Sequence, residues 1–254
     1  MHKTKLYLSM LLESSETWIY ILLPLVAFLY ASVGHGGASG YLALLAIFGF
    51  STNLMKPTAL TLNLFVAAIS FYHFWIQGHF RWSLFWPFAL ASVPAAFLGG
   101  LLEPDPLIYK RVLGILLIFA ILRMLNIFNQ SKNTPNTPNI WKGILSGGVI
   151  GFFSGLIGIG GGIILSPLIL IMGWGKMKEA AAVSALFIWI NSAAGLAGHL
   201  SQGTSIPNKA SIYIGLSLIG GFLGGYIGSK SNDYKLRYVL SFALIIASLK
   251  LLIY

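Results

Sequence analysis

Two glycine clusters, Gly34-His35-Gly36-Gly37-Ala38-Ser39-Gly40 and Gly158-Ile159-Gly160-Gly161-Gly162, sit inside the two longest apolar stretches of the chain. The chemistry they offer is that of the backbone. Glycine inside a helix costs about 1 kcal/mol relative to alanine, so each cluster predicts a break in its helix. The freed N–H groups cannot face lipid and must look onto protein or a wet cavity. A half-helix starting just after each cluster would point its N-terminal N–H groups and the positive end of its dipole into that cavity, which suits an anion. The same glycines would also serve close helix packing.

His35 is the ionisable residue within a cluster. Protonated, it would hold an anion or couple anion and proton movement; neutral, it would hydrogen-bond at a packed turn. Neutral donors that could complete a site are Ser39 and Ser166 beside the clusters, Asn63, and Asn191-Ser192, each with a plain alternative use in interhelical hydrogen bonding. The candidate binding set is therefore Gly34, His35, Gly36, Gly37, Ser39, Asn63, Gly158, Gly160, Gly161, Gly162, Ser166, Asn191 and Ser192. His73, in an apolar stretch, reads as a packing or interfacial residue, and His199, near a segment end, as one facing the headgroups. Arg123 and Lys250 occupy matching places near segment ends, where snorkelling to the interface explains them.

What is missing narrows the chemistry. The six acidic residues, Glu13, Glu16, Glu103, Asp105, Glu179 and Asp233, all fall at segment ends or in loops. A buried carboxylate of the kind cation carriers and many proton pumps use is not available. With no cysteine there are no disulfides and no thiolate metal sites or nucleophiles. Neither acidic pairs nor spaced histidines occur inside the segments, so hydrolytic chemistry is disfavoured. No nucleotide-binding loop is present, and no cofactor is expected.

The elements that must position these residues follow from hydropathy. The 254 residues are 57% hydrophobic and only 9% charged, with mean hydropathy +0.82, against about 25% charged in soluble proteins. An all-α integral membrane protein is expected, its partner the lipid bilayer. The net charge of +10 comes from Lys and Arg scattered at segment ends, such as Lys56, Arg81, Lys110, Arg111, Lys142, Lys176 and Lys178. That pattern suits headgroup anchoring, and no basic run is long enough for nucleic acid. Tryptophans 18, 75, 82, 86, 141 and 174 mostly flank segments, as an aromatic belt does.

About eight segments are expected, at 18–50, 58–76, 83–102, 108–128, 140–173, 179–198, 210–228 and 236–254. Residues 1–17 read as a short N-terminal tail and the polar stretch 129–139, NQSKNTPNTPN, as a linker. It separates a first transmembrane repeat, 18–128, from a second, 140–254. The two halves fall into step under a shift of about 125 residues: Gly34, Gly36 and Gly37 meet Gly158, Gly160 and Gly161. Likewise Gln77-Gly78 meets Gln202-Gly203, Gly99-Gly100 meets Gly224-Gly225, and Tyr109-Lys110 meets Tyr234-Lys235. Duplicated four-segment modules of this kind are typical of transporters. Either glycine-broken first segment could be a re-entrant hairpin, which leaves parallel and inverted repeats both open.

At these residues the sequence resembles the TauE/SafE family of sulfite exporters, also described as the 4-toluene sulfonate uptake permease family. Its hallmark is G-x-G-G-G-x-x-x-x-P at the start of each half. The second copy matches it in full, from Gly158 to Pro167. The first has Ala38 for the third consecutive glycine, Ala43 for proline, and an extra Gly40. The LGG and LGGYIGS turns of the two halves also look like the family. The resemblance implies a multi-pass protein of the bacterial inner membrane that moves sulfite, sulfonates or related organic anions without ATP hydrolysis of its own. Alternating access is the mechanism this implies, with proton coupling open to it through His35. A non-transporting membrane subunit or assembly factor is the other reading. The altered first copy leaves the substrate within this class open, and nothing in the sequence fixes the oligomeric state.

Overall fold

The computed structural model describes residues 2–124, 139–206 and 209–230, together with positions 245, 248, 249 and 252. These residues form α-helices with no strand among them: α1 (His2–Ala31), α2 (Ala38–Ile47), α3 (Thr52–Ile76), α4 (Trp82–Gly100), α5 (Pro106–Met124), α6 (Ile140–Ile157), α7 (Gly162–Ile171), α8 (Met177–Ser201) and α9 (Ala210–Lys230). Five of them, α3, α4, α6, α8 and α9, are long and apolar enough to cross a bilayer. The backbone is helical from His2, so residues 2–16 are the first part of α1. Most of the linker, most of the last expected segment, Asp233, Lys250 and the Tyr234-Lys235 pair lie outside the described residues, as does the side chain of Arg123. Asn139, at the linker's end, caps α6 by accepting from the Lys142 N–H at 3.2 Å.

Both long apolar segments are divided at their glycine clusters. The second pieces, α2 and α7, have 10 residues each, about 15 Å of helix and so about half the bilayer's hydrocarbon thickness. The N-cap of each is a glycine with positive φ, Gly37 at 101° and Gly161 at 77°, a conformation other L-residues avoid. The chain turns back on itself at the breaks. Gly40 lies against Val26 and Tyr30 of α1, and Gly161 lies against Ile150 and Ser154 of α6. Farther on, residues between Ile164 and Trp174 line one cavity with Lys142 to Ile150, so α7 doubles back along α6.

Helix α4 packs on α6 and α1 on α9, while α3 and α8 lie together at the centre. The two outer pairs are built on glycine stripes at four-residue spacing. Gly147, Gly151 and Gly155 of α6 lie on the backbone of Phe88, Ser92 and Ala96; Gly220, Gly224 and Gly228 of α9 lie on that of Pro24, Phe28 and Ser32. Such spacing lets helix backbones meet where no hydrophobic force drives them together. Gly99 meets Phe152 and Gly224 meets Phe28, contacts related by the shift of about 125 residues. The glycines expected at the LGG and LGGYIGS turns are in fact helical, inside α4 and α9, because their use is close packing and not chain reversal. A Cβ on Gly155 would collide with the carbonyl of Ala96 and the nitrogen of Gly100. Gly155→Ala is therefore expected to cost about 1–3 kcal/mol, read as a lower thermal midpoint in detergent. An unchanged midpoint would contradict this packing.

Three surface expectations are corrected. Lys56 and His199, expected at the headgroups, are 5% and 3% exposed. Lys56 lies against Gly158, its ammonium 4.9 Å from the centre of the Tyr109 ring of α5. His199 points inward, its Nε2 3.0 Å from the Gly155 carbonyl. Trp174 is buried against Phe88, whereas Trp18, Trp75, Trp82 and Trp141 are exposed. His73 is buried and packs edge-on against Phe222 and Tyr226.

Candidate functional site

The two breaks meet over a single side chain. Asn63 projects from α3, fully buried, and its Oδ1 accepts from the Ala38 N–H, the first of α2, at 2.9 Å. Its Nδ2 donates to Ser192 Oγ of α8 at 3.2 Å. Because Ala38 N–H can only donate, the orientation of the amide follows from the network. A Cβ on Gly36 would lie 2.5 Å from Asn63 Oδ1 and 2.9 Å from Ile188 Cγ2. A Cβ on Gly160 would lie 2.6 Å from Asn63 Nδ2 and 2.8 Å from that same Ile188 methyl. Gly36 and Gly160 thus close from two sides on Asn63 of α3 and Ile188 of α8, positions that are themselves 125 residues apart.

The halves treat their half-helices differently. Asn63 caps α2, but the equivalent residue beside α7 is the apolar Ile188, whose side chain lies against Gly162. Among the described residues the N–H groups of Gly160, Gly161 and Gly162 have no hydrogen-bond acceptor. Three adjacent donors at a helix N-terminus form an electropositive end.

His35 lies across the opening turn of α7. Its Nδ1 is 3.0 Å from the Val33 carbonyl, and its Nε2 is 3.3 Å from the Gly162 carbonyl and 3.4 Å from Ser166 Oγ. Ser166 Oγ is in turn 2.7 Å from Ser184 Oγ. A neutral ring donates from one nitrogen only: with Nδ1–H on Val33, Nε2 accepts from the Ser166 hydroxyl. An imidazolium donates to both carbonyls, and the Ser166 hydroxyl turns to Ser184. The arrangement accommodates either protonation state by rotation of one hydroxyl.

Gly36, Gly160, Asn63 and Ser192 are therefore brought together, with His35, Gly162 and Ser166 beside them. Others of the expected set lie apart. Gly34 rests on Ala181, Gly158 on Lys56 and Gly37 on the Tyr41 ring. Ser39 is held by the Tyr30 hydroxyl at 2.7 Å. Asn191 donates to the Phe187 carbonyl of its own helix at 2.8 Å, leaving its Oδ1 buried without a partner among the described residues. Ile188 and Ser184 escaped the sequence reading, although the repeat shift applied to Asn63 leads directly to Ile188.

Residues 19–251 match the family model described as Sulfite exporter TauE/SafE. The chain belongs to the TauE/SafE sulfite exporter family. Its TauE/SafE relatives include the "Probable membrane transporter protein y4hK" of Sinorhizobium fredii, 38% identical over 232 residues, which are 89% of this chain and 94% of that one. "Probable membrane transporter protein MJ0441" of Methanocaldococcus jannaschii is 33% identical over 146 residues, 54% of each chain. "Probable membrane transporter protein YunE" of Bacillus subtilis is 29% identical over 110 residues, 43% of this chain and 40% of that one. No solved structure matches the chain. Membership in TauE/SafE places a multi-pass membrane transporter behind the geometry described above.

Proposed function

We propose that the protein is a secondary transporter of small anions of the sulfite or sulfonate class, acting in the bacterial inner membrane by alternating access. It is built as two four-segment repeats whose first segments are broken. The observation that carries this reading is the convergence of Gly36 and Gly160 on Asn63. An anion held there meets the N–H groups of Gly160 to Gly162 and the Nδ2 of Asn63, with the charge of a protonated His35 beside it. Backbone donors bind an oxyanion without a fixed countercharge, so release to the far side stays affordable. Helices α4 and α1 of the first repeat pack on α6 and α9 of the second, so the repeats meet on both flanks of this point, the seams along which one would rock against the other.

The test is uptake of sulfite, thiosulfate, 4-toluene sulfonate and acetate into vesicles containing only this protein. At least one is expected to enter faster than into protein-free vesicles; no uptake of any would leave a non-transporting subunit as the better reading. His35→Gln keeps a donor and an acceptor but takes up no proton. Wild-type flux is expected to rise as the pH is lowered, because an imidazolium at His35 attracts the anion. The variant is expected to lose that rise. A rise unchanged in the variant would remove His35 from the pathway.

A further inference from the structure

The two faces of the half-helix α7 are served differently. Its inner face, Gly162 and Ser166, lies on Ile188, His35 and Ser184. Its outer face, with Ile164, Leu168 and Ile171, looks into a cavity of about 440 Å³ whose other wall is α6 from Lys142 to Ile150. Between those two residues the α6 wall offers no free polar group, because the hydroxyl of Ser146 donates to the Lys142 carbonyl of its own helix at 2.6 Å. The groove is open along one side, where Leu145 is 74%, Val149 52% and Ile171 50% exposed. Its deep end is at Ile150, against the break at Gly161, and its mouth is at Lys142 and Trp174. From Lys142 to Ile150 is about 12 Å of helix, close to the depth of one leaflet's hydrocarbon, half of roughly 30 Å. Trp141, exposed beside Lys142, marks the headgroup level.

Charge at the mouth favours a lipid as the occupant. Lys142 is exposed and forms no ion pair among the described residues, and the stretch 125–139 that precedes α6 contains no acidic residue. The carboxylate of Glu179, four residues past Gly175, is already engaged: it accepts from Arg81 Nη1 at 3.2 Å and from the Lys176 N–H at 2.8 Å. A second copy docked groove to groove would set Lys142 against its own mate, a like-charge contact. We propose that the groove between α6 and α7 binds one anionic phospholipid, with one acyl chain lying between Val149 and Leu168 and the phosphate meeting the Lys142 ammonium. The acyl chain completes the packing of the outer face of α7 and so steadies the half-helix whose N-terminus carries the unpaired N–H groups. Such a site exists whether or not the protein carries anions.

The test is the thermal midpoint of the purified protein in detergent with dioleoyl phosphatidylglycerol or dioleoyl phosphatidylcholine added at equal concentration, a measurement that involves no transport. Phosphatidylglycerol is expected to raise the midpoint by about 2 °C or more above phosphatidylcholine. Glycerol phosphate, the same anion without acyl chains, is expected to leave it unchanged. Lys142→Gln is expected to raise the phosphatidylglycerol concentration that gives half the shift by about fivefold, the weight of one cation at a membrane surface. Arg111→Gln, which removes an exposed cation at the start of α5, is expected to leave that concentration as in the wild type. Val149→Trp, which fills the groove, is expected to abolish the shift with Lys142 still in place. Equal midpoints in the two lipids, an equal shift from glycerol phosphate, or a shift unchanged in Lys142→Gln or in Val149→Trp would overturn the proposal. An equal weakening in Arg111→Gln would overturn it too, by reducing Lys142 to general surface charge. So would a dimer in detergent that Val149→Trp dissociates, since that gives the groove to a second copy.

Discussion

Gly160→Leu is expected to lower anion flux by about 100-fold or more while the protein still inserts, a loss of about 3 kcal/mol in transition-state terms. Gly160 sits at φ 74°, where a side chain costs about 1–2 kcal/mol. More decisively, its Cβ would stand 2.6 Å from Asn63 Nδ2, 2.8 Å from Ile188 Cγ2 and 3.1 Å from Ser192 Oγ. No room exists between the two breaks for the isobutyl group, which would force Asn63 and Ile188 aside. Gly36→Leu would displace the same side chains from the other side, against Asn63 Oδ1 at 2.5 Å, and should behave alike. Gly203→Leu is the control. It has nearly the same backbone strain, φ 81°, but no atom within 4 Å of its Cβ. Flux in Gly203→Leu is expected to stay near wild type; an equal loss there would mean that strain, and not occupation of the site, is what the leucines report.

Asn63→Asp is the second large effect. The carboxylate can still accept from the Ala38 N–H, and a negative charge at the N-terminus of α2 is favourable by about 0.3–1 kcal/mol. Position 63 is fully buried, however, so desolvation of the carboxylate outweighs that gain and the thermal midpoint is expected to fall. Facing an anion, the same charge is repulsive by several kcal/mol, so flux is expected to fall by about tenfold or more. Asn63→Leu removes both hydrogen bonds and leaves the Ala38 N–H buried without an acceptor, at about 1–3 kcal/mol. Its midpoint should drop with its flux. Normal flux in Asn63→Asp would reduce Asn63 to a helix cap.

The breaks were legible in the sequence because adjacent glycines in an apolar run have few other physical uses. Gln77-Gly78 and Gln202-Gly203 show how well the repeat shift reads local structure: in both, Gln is the C-cap and Gly takes positive φ. The packing stripe of α6, Gly143, Gly147, Gly151 and Gly155, was equally present as a four-residue spacing. Four-residue glycine spacing is the weaker signal of the two, because it leaves the helix unbroken. Lys56 and His199 were misplaced for a different reason. A basic or ionisable residue near a segment end has the same hydropathy signature whether it snorkels or turns inward, and only the position of Tyr109 and Gly155 decides. Arg81 and Glu179 are a similar case. Their 3.2 Å ion pair ties the start of α4 to the start of α8, while the shifted positions, Ile206 and Leu54, are apolar. No pairing between such distant residues can be read from periodicity. The inequality between halves is thus wider than His35: a buried lysine and an asparagine cap each occur in one copy and not in its mate, and the Arg81–Glu179 pair between the copies has no counterpart at the shifted positions.

The central claim is a saturable anion site that opens alternately to the two sides. Exchange of radiolabelled sulfite in vesicles containing only this protein tests it most directly. Uptake is expected to saturate with external sulfite and to accelerate when unlabelled sulfite is loaded inside. Uptake that rises linearly without saturation, or that ignores the internal load, would contradict it.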